Sequence, residues 1–132
     1  MIVLDTHIWI WWVDGNANLT DAYREWIAAE ESSGIVVPAI SCWEVAKLVE
    51  NGRLAFSIAV EDWLRGAVSY PGVSLYPLTQ EVAIASTRLP PPFHKDPADQ
   101  MIVATARLLN CPLVTMDSKI LAYPHVVTTR SA

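Results

Sequence analysis

Short apolar runs alternate along the chain with stretches of helical periodicity, and this alternation sets the fold class. "MIVL" at 1–4, "GIVVP" at 34–38, "VSLYPL" at 73–78 and "CPLVTM" at 111–116 are the length of buried strands. Between them lie helical patterns. "THIWIWWV" forms a short helix that "DGN" stops, and Thr20 opens a helix reaching Ser33. Ser41 opens one ending at Glu50 before "NG"; "AVEDWLRGA", "TQEVAIASTRL", residues 97–110 and Ser118–Ala122 supply the rest. "PPPFHK" is a stiff connection, and "HVVTT" reads as a final strand. Strand–helix alternation of this kind gives an α/β fold, with a central, mostly parallel sheet of four to five strands and helices on both faces. Its functional crevice is expected beyond the carboxyl ends of the strands.

The chain is 132 residues long, which suits one domain over residues 1–132, and 52% apolar residues suffice to fill a core. No apolar run is long enough for a membrane span, and the start has no basic region of a signal peptide. Cys42 and Cys111 sit among apolar neighbours and read as buried free thiols, so a cytoplasmic protein is expected. Nine Lys and Arg against fourteen Asp and Glu leave a net charge of −5. That excludes a passive, charge-driven nucleic-acid binder, though not an enzyme that meets phosphate through a bound cation.

Four acids occupy comparable places, and each has a structural explanation of its own. Asp5 leaves the first strand and can cap a turn. Glu44 falls in "SCWE", a capping box with Ser41 as N-cap. In "DPAD", Asp96 is an N-cap, Pro97 suits the first helical position and Asp99 the third. Asp117 follows a strand and can cap the helix at Ser118.

Taken together the acids say more. In a parallel sheet all these places open on one edge. Carboxylates about 4 Å apart repel by about 4 kcal/mol per pair at an effective dielectric of ~20. Ser, Thr or Asn would cap as well without that repulsion. A divalent cation relieves it, and all-oxygen ligands select a hard ion, Mg²⁺ or Mn²⁺. Asp99 is therefore assigned to metal, while Asp96 caps its helix and joins an outer shell.

"LDTHIWIWW", "SCWEVAKLVENGRL", "HKDPADQMIVATA" and "LVTMD", in this order, make the chain resemble a PIN domain, specifically the VapC-like toxin ribonucleases of bacterial toxin–antitoxin pairs. The resemblance covers nearly the whole chain. It implies that Asp5, Glu44, Asp99 and Asp117 are the catalytic, Mg²⁺- or Mn²⁺-binding cluster of an endoribonuclease, with Asp96 second to them. It implies two protein partners, a second copy of the chain and a small antitoxin. Ala98 and Gln100 depart from the branch pattern, which more often has a bulky apolar residue and Arg there.

Around this cluster, Thr6 and Thr115 can hydrogen-bond an acid or cap the adjacent turn. His94, Lys95 and Lys47 are candidates for contact with an RNA phosphate, Lys47 also for pairing with Glu44. His7 reads as a packed, hydrogen-bonded residue rather than a ligand. Trp9 and Trp12 share a helical face and are expected in the core, with part of Trp9–Val13 exposed as a protein interface. Two other readings keep the same elements: another Mg²⁺-dependent phosphoryl-transfer enzyme, and a non-catalytic RNA-binding or scaffold module. A phosphatase wants an acid where His7 stands, and a receiver's set of acids and late Lys is not found.

Overall fold

The computed structural model describes residues 1–130. Four strands, β1 (Ile2–Leu4), β2 (Ile35–Pro38), β3 (Val73–Tyr76) and β4 (Leu113–Val114), form one sheet in the order β3-β2-β1-β4, every pair parallel. The helices are α1 (Thr6–Asp14), α2 (Asp21–Ala29), α3 (Ala39–Glu50), α4 (Val60–Ala67), α5 (Gln80–Ser86), α6 (Pro97–Leu109) and α7 (Ser118–Leu121). The expected α/β class and parallel sheet are thus observed.

Strand alternation divides the core. Ile2, Leu4, Ile35 and Val37 point to one side, where they pack with Ile8 and Trp9 of α1, Ile27 of α2 and Trp63 of α4. Val3 and Val36 point to the other, against Ile102, Val103 and Ala106 of α6 and Ile120 of α7. Both faces of β1, β2 and β4 are covered, which is why those strands read as unbroken apolar runs, whereas edge strand β3 is half-buried at its ends and exposed at Ser74 and Leu75.

The sheet grows from β1 through β2 to β3, then β4 joins on the opposite side of β1. The reversal opens a crevice at the carboxyl ends of β1 and β4. Because α6 precedes β4 and runs back along the sheet, its N-terminus opens on that same edge.

Three readings of elements are corrected. "HVVTT" forms no strand: β4 is two residues long, and residue 127 meets it through one bond, Leu113 N–H to the Val127 carbonyl at 2.8 Å. Helix α2 stops at Ala29, and residues 30–33 are turns that carry Glu30 and Ser33 to the amino group of Met1. Ser41 is no N-cap. Pro38 ends β2 in an extended conformation and α3 starts at once at Ala39, so Ser41 lies within the first turn and the capping box does not form. Thr20 does occupy the N-cap of α2, without a side-chain hydrogen bond. No helix among the described residues is long and apolar enough to cross a membrane.

Gly72 shows how tightly the approach to β3 is built. Its φ of +81° is left-handed, and a Cβ there would lie 2.9 Å from Glu31 Cα and closer still to the Glu31 carbonyl oxygen. Gly52, with φ of +73°, has open space around it. Gly52→Ala is therefore expected to cost about 1–2 kcal/mol, for the backbone conformation alone. Gly72→Ala adds an overpacking cost of about 1–3 kcal/mol against main chain that cannot rotate away. Urea denaturation of the two variants beside the parent chain checks the order; equal losses would contradict it.

Candidate metal centre

The crevice at the switch between β1 and β4 is a cavity of about 340 Å³ whose lining includes Asp5, Glu44, Asp96, Asp99 and Asp117. Five acids far apart in the sequence thus share one small volume. Each is placed by a different local device.

Asp5 follows β1 and is the N-cap of α1; its Oδ1 accepts the Thr6 N–H at 2.9 Å. Its Oδ2 accepts the Thr115 hydroxyl at 2.7 Å, which ties the end of β1 to the end of β4. Asp5 is only 8% exposed, and burial pushes its carboxyl up, against the pull of those two hydrogen bonds.

Glu44 stands in the second turn of α3, released from capping. Its Oε1 accepts from the Thr6 hydroxyl, which also contacts Ser41 Oγ at 2.9 Å. The Thr6 hydroxyl has one proton to give, and a carboxylate is the stronger acceptor, so buried Ser41 completes the pair by donating to Thr6. Burial raises Glu44 first, and the charges of Asp5 and Asp96 raise it further.

Asp96 caps α6 by accepting the Asp99 N–H at 3.0 Å. Asp99 itself has no capping duty. Its carboxyl is pushed from an ordinary 3.8 to about 7, by burial first and then by Asp5, Asp96, Glu44 and Asp117. Asp117 caps α7 through Oδ1, which takes the N–H groups of Lys119 and Ile120, while the Asp117 N–H donates to Thr115 Oγ1 at 3.0 Å. Thr115 therefore serves two acids, donating to one and holding the backbone of the other.

The remaining candidates divide. His94 reaches the edge of the cluster: its Nε2 lies 3.1 Å from Asp99 Oδ2, off the line of a hydrogen bond, and its Nδ1 accepts the Asp96 N–H at 3.3 Å. Lys47 points elsewhere and pairs with Glu50 at 2.9 Å, because the next turn of α3 offers a carboxylate without the desolvation met at Glu44. Lys95 is exposed and outside the cavity lining. His7 lines the cavity yet is exposed, its ring beside Trp11 at 5.9 Å, so it is not the packed histidine expected. Trp9 is in the core, while Trp11, Trp12 and Val13 are partly exposed. Cys42 and Cys111 are free and half-buried.

Sequence reasoning missed Ser41 as a support of Thr6. The signal was available, since a Ser one turn before Glu44 shares its helical face.

The donor set fits a hard cation in chemistry and charge. Every donor is oxygen, and Glu44 Oε2, Asp117 Oδ2 and the Asp99 carboxyl accept no hydrogen bond among the described residues. The same residues are not grouped tightly enough for any three to hold one ion as they stand. The acids thus surround a cavity, and gripping an ion requires side-chain rotation within it.

Comparison with known proteins agrees with this architecture. A sequence model of the PIN domain matches residues 2–126. Ribonuclease VapC22 of Mycobacterium tuberculosis is 34% identical over 124 residues, covering 94% of this chain and 92% of that protein. Among solved structures, VapBC2 from Rickettsia felis bound to a promoter DNA fragment contains a chain that superposes with a TM-score of 0.71 at 16% identity, over 98% of both chains. A toxin–antitoxin complex from Klebsiella pneumoniae gives 0.64 at 21%, over 97% of both. FitAcB from Neisseria gonorrhoeae gives 0.68 at 19%, over 98% of this chain and 97% of that one. With the four-stranded parallel sheet, the acids at its switch point and a family match over almost the full length, this chain belongs to the PIN domain family.

Proposed function

We propose that this chain is a Mg²⁺- or Mn²⁺-dependent endoribonuclease, the toxin of a bacterial toxin–antitoxin pair. It acts in the cytoplasm as a homodimer and is neutralised by a small antitoxin that covers the acid cavity. The observation that carries the reading is that Asp99 shares one cavity with four other acids, Asp5, Glu44, Asp96 and Asp117, where burial and their charges push its carboxyl up to about 7. The named ribonuclease relative and the toxin–antitoxin complexes among the structural neighbours support it.

Asp5, Glu44, Asp99 and Asp117 hold the ion. When bound, the cation supplies neutralisation of phosphate charge and activation of water at neutral pH. Thr115 and Thr6 hold the carboxylates of Asp5 and Glu44 at the cavity, which leaves the rotation needed to grip an ion mainly to Asp99, whose carboxyl accepts no hydrogen bond among the described residues. Asp96 keeps the N-terminus of α6, and with it Asp99, at the rim of the cavity.

Two measurements test this reading. After chelation the chain should cleave single-stranded RNA only when Mn²⁺ or Mg²⁺ is returned. Asp99→Asn should lower that rate by about 100-fold or more, since the ion loses a charged ligand. Cleavage that persists in chelator would overturn the proposal.

The second measurement is stability against pH. Between 3.8 and about 7 the native chain keeps a proton on Asp99 that the unfolded chain has released. Stability in chelator therefore falls as pH rises through that window, by at most about 4 kcal/mol at 1.36 kcal/mol per unit. Asp99→Asn should flatten the slope and melt higher than the parent at pH 7.5. Mn²⁺ should raise the parent's melting temperature more than the variant's. Thermal melts at several pH values decide the matter.

A further inference from the structure

Beside the acid cavity lies a second, more open one of about 520 Å³, lined by Pro92, Phe93, His94, Lys119, Ala122 and Tyr123 among others. It is mostly apolar, yet it is bracketed by two residues tied to the acids. His94 touches Asp99 from one side. Lys119 follows Asp117 by two residues, and its N–H donates to Asp117 Oδ1 at 2.8 Å. The two cavities are therefore neighbours along one surface path.

The aromatic wall of this second cavity is held in place. Tyr123 is buried and its hydroxyl donates to the Pro90 carbonyl at 2.6 Å. Phe93 packs on Tyr123 with ring centroids 4.7 Å apart, and on His94 at 4.4 Å. Lys119 is exposed at the rim and forms no ion pair among the described residues, although the chain is strongly acidic.

From this juxtaposition we infer that the second cavity is a nucleobase subsite, which seats one base of the RNA next to the scissile phosphate while Lys119 meets the adjoining backbone phosphate. The inference rests on the ribonuclease reading and names where that site holds its substrate. Half-buried Phe93 and His94, backed by buried Tyr123, offer the ring surface that a base of any kind would meet, and a lone cation at the rim takes the phosphate attached to it. An apolar peptide side chain would use the wall but leave the lysine without a partner, so a nucleotide fits better.

The test uses the full chain and two variants. Ala122→Trp fills the cavity from an exposed position, and Lys119→Ala removes only the charge. Binding of a short labelled single-stranded RNA is followed by fluorescence anisotropy in Ca²⁺, which takes the same oxygen ligands. Ala122→Trp should weaken binding about tenfold, the loss of one base stack. Lys119→Ala should weaken it less and reduce the dependence of log K on log salt by about one ion. Both variants should keep the parent's Mn²⁺-induced rise in melting temperature.

If the parent binds RNA and the variants lose affinity while no chain cleaves in Mn²⁺, the subsite stands and the nuclease reading falls. If the parent cleaves, and either variant that still folds binds with the parent's affinity, the subsite falls and the nuclease stands. Failure of the parent to bind RNA overturns the subsite.

Discussion

The hydrogen bond from Thr115 to Asp5 spans the one place where the sheet changes its direction of growth. Everything at the carboxyl edge is arranged around it. Asp5 is nearly enclosed, and a carboxylate in that position keeps its charge only if hydrogen bonds replace lost water. Thr6 and Thr115 supply one each. A parallel sheet leaves such a notch at its switch point by topology alone, and the sequence places an acid there that one backbone N–H and one hydroxyl hold.

The other acids follow from how helices begin. Asp5, Asp96 and Asp117 are all N-caps, of α1, α6 and α7. An N-cap carboxylate uses one oxygen on the helix, at the positive end of the helix dipole, and has a second to spare, which Asp5 gives to the Thr115 hydroxyl. The fold can thus concentrate negative charge because several helices start around one cavity. Asp99 and Glu44 are the residues that this local logic does not account for. Asp99 neither caps nor pairs ionically with Lys or Arg, and it bears the sum of its neighbours' fields. Its charge is the part of the cluster that the protein alone does not stabilise.

This division explains what could be read from the sequence. Alternating short apolar runs and helical patterns reveal the sheet because both faces of β1, β2 and β4 are buried. The four acids at strand ends and helix starts could be grouped because a parallel sheet brings those places to one edge. What stayed hidden depended on competition between near neighbours in the chain. Ser41 looks like a cap, but Pro38 already ends the strand, so the helix starts two residues before the serine. "HVVTT" has the composition of a strand, but a two-residue β4 offers too little edge to pair with. Lys47 has Glu44 and Glu50 within reach on one helix, and the exposed partner wins because pairing there costs no burial.

The charge distribution bears on how an acidic chain can hold RNA at all. Several of its cations are already engaged. Lys47 lies on Glu50, Arg65 on Asp62, and Arg24 and Arg107 donate to backbone carbonyls of Asn16 and His125. Phosphate attraction of the usual kind, spread over many basic residues, is therefore weak in this protein. Under the proposed function, affinity would come instead from a cation held among the acids and from contacts that need no charge, such as aromatic faces. On the proposed nuclease reading, such a chain would bind RNA poorly until its acids are neutralised, which would make the ion a condition for holding the substrate as well as for cutting it.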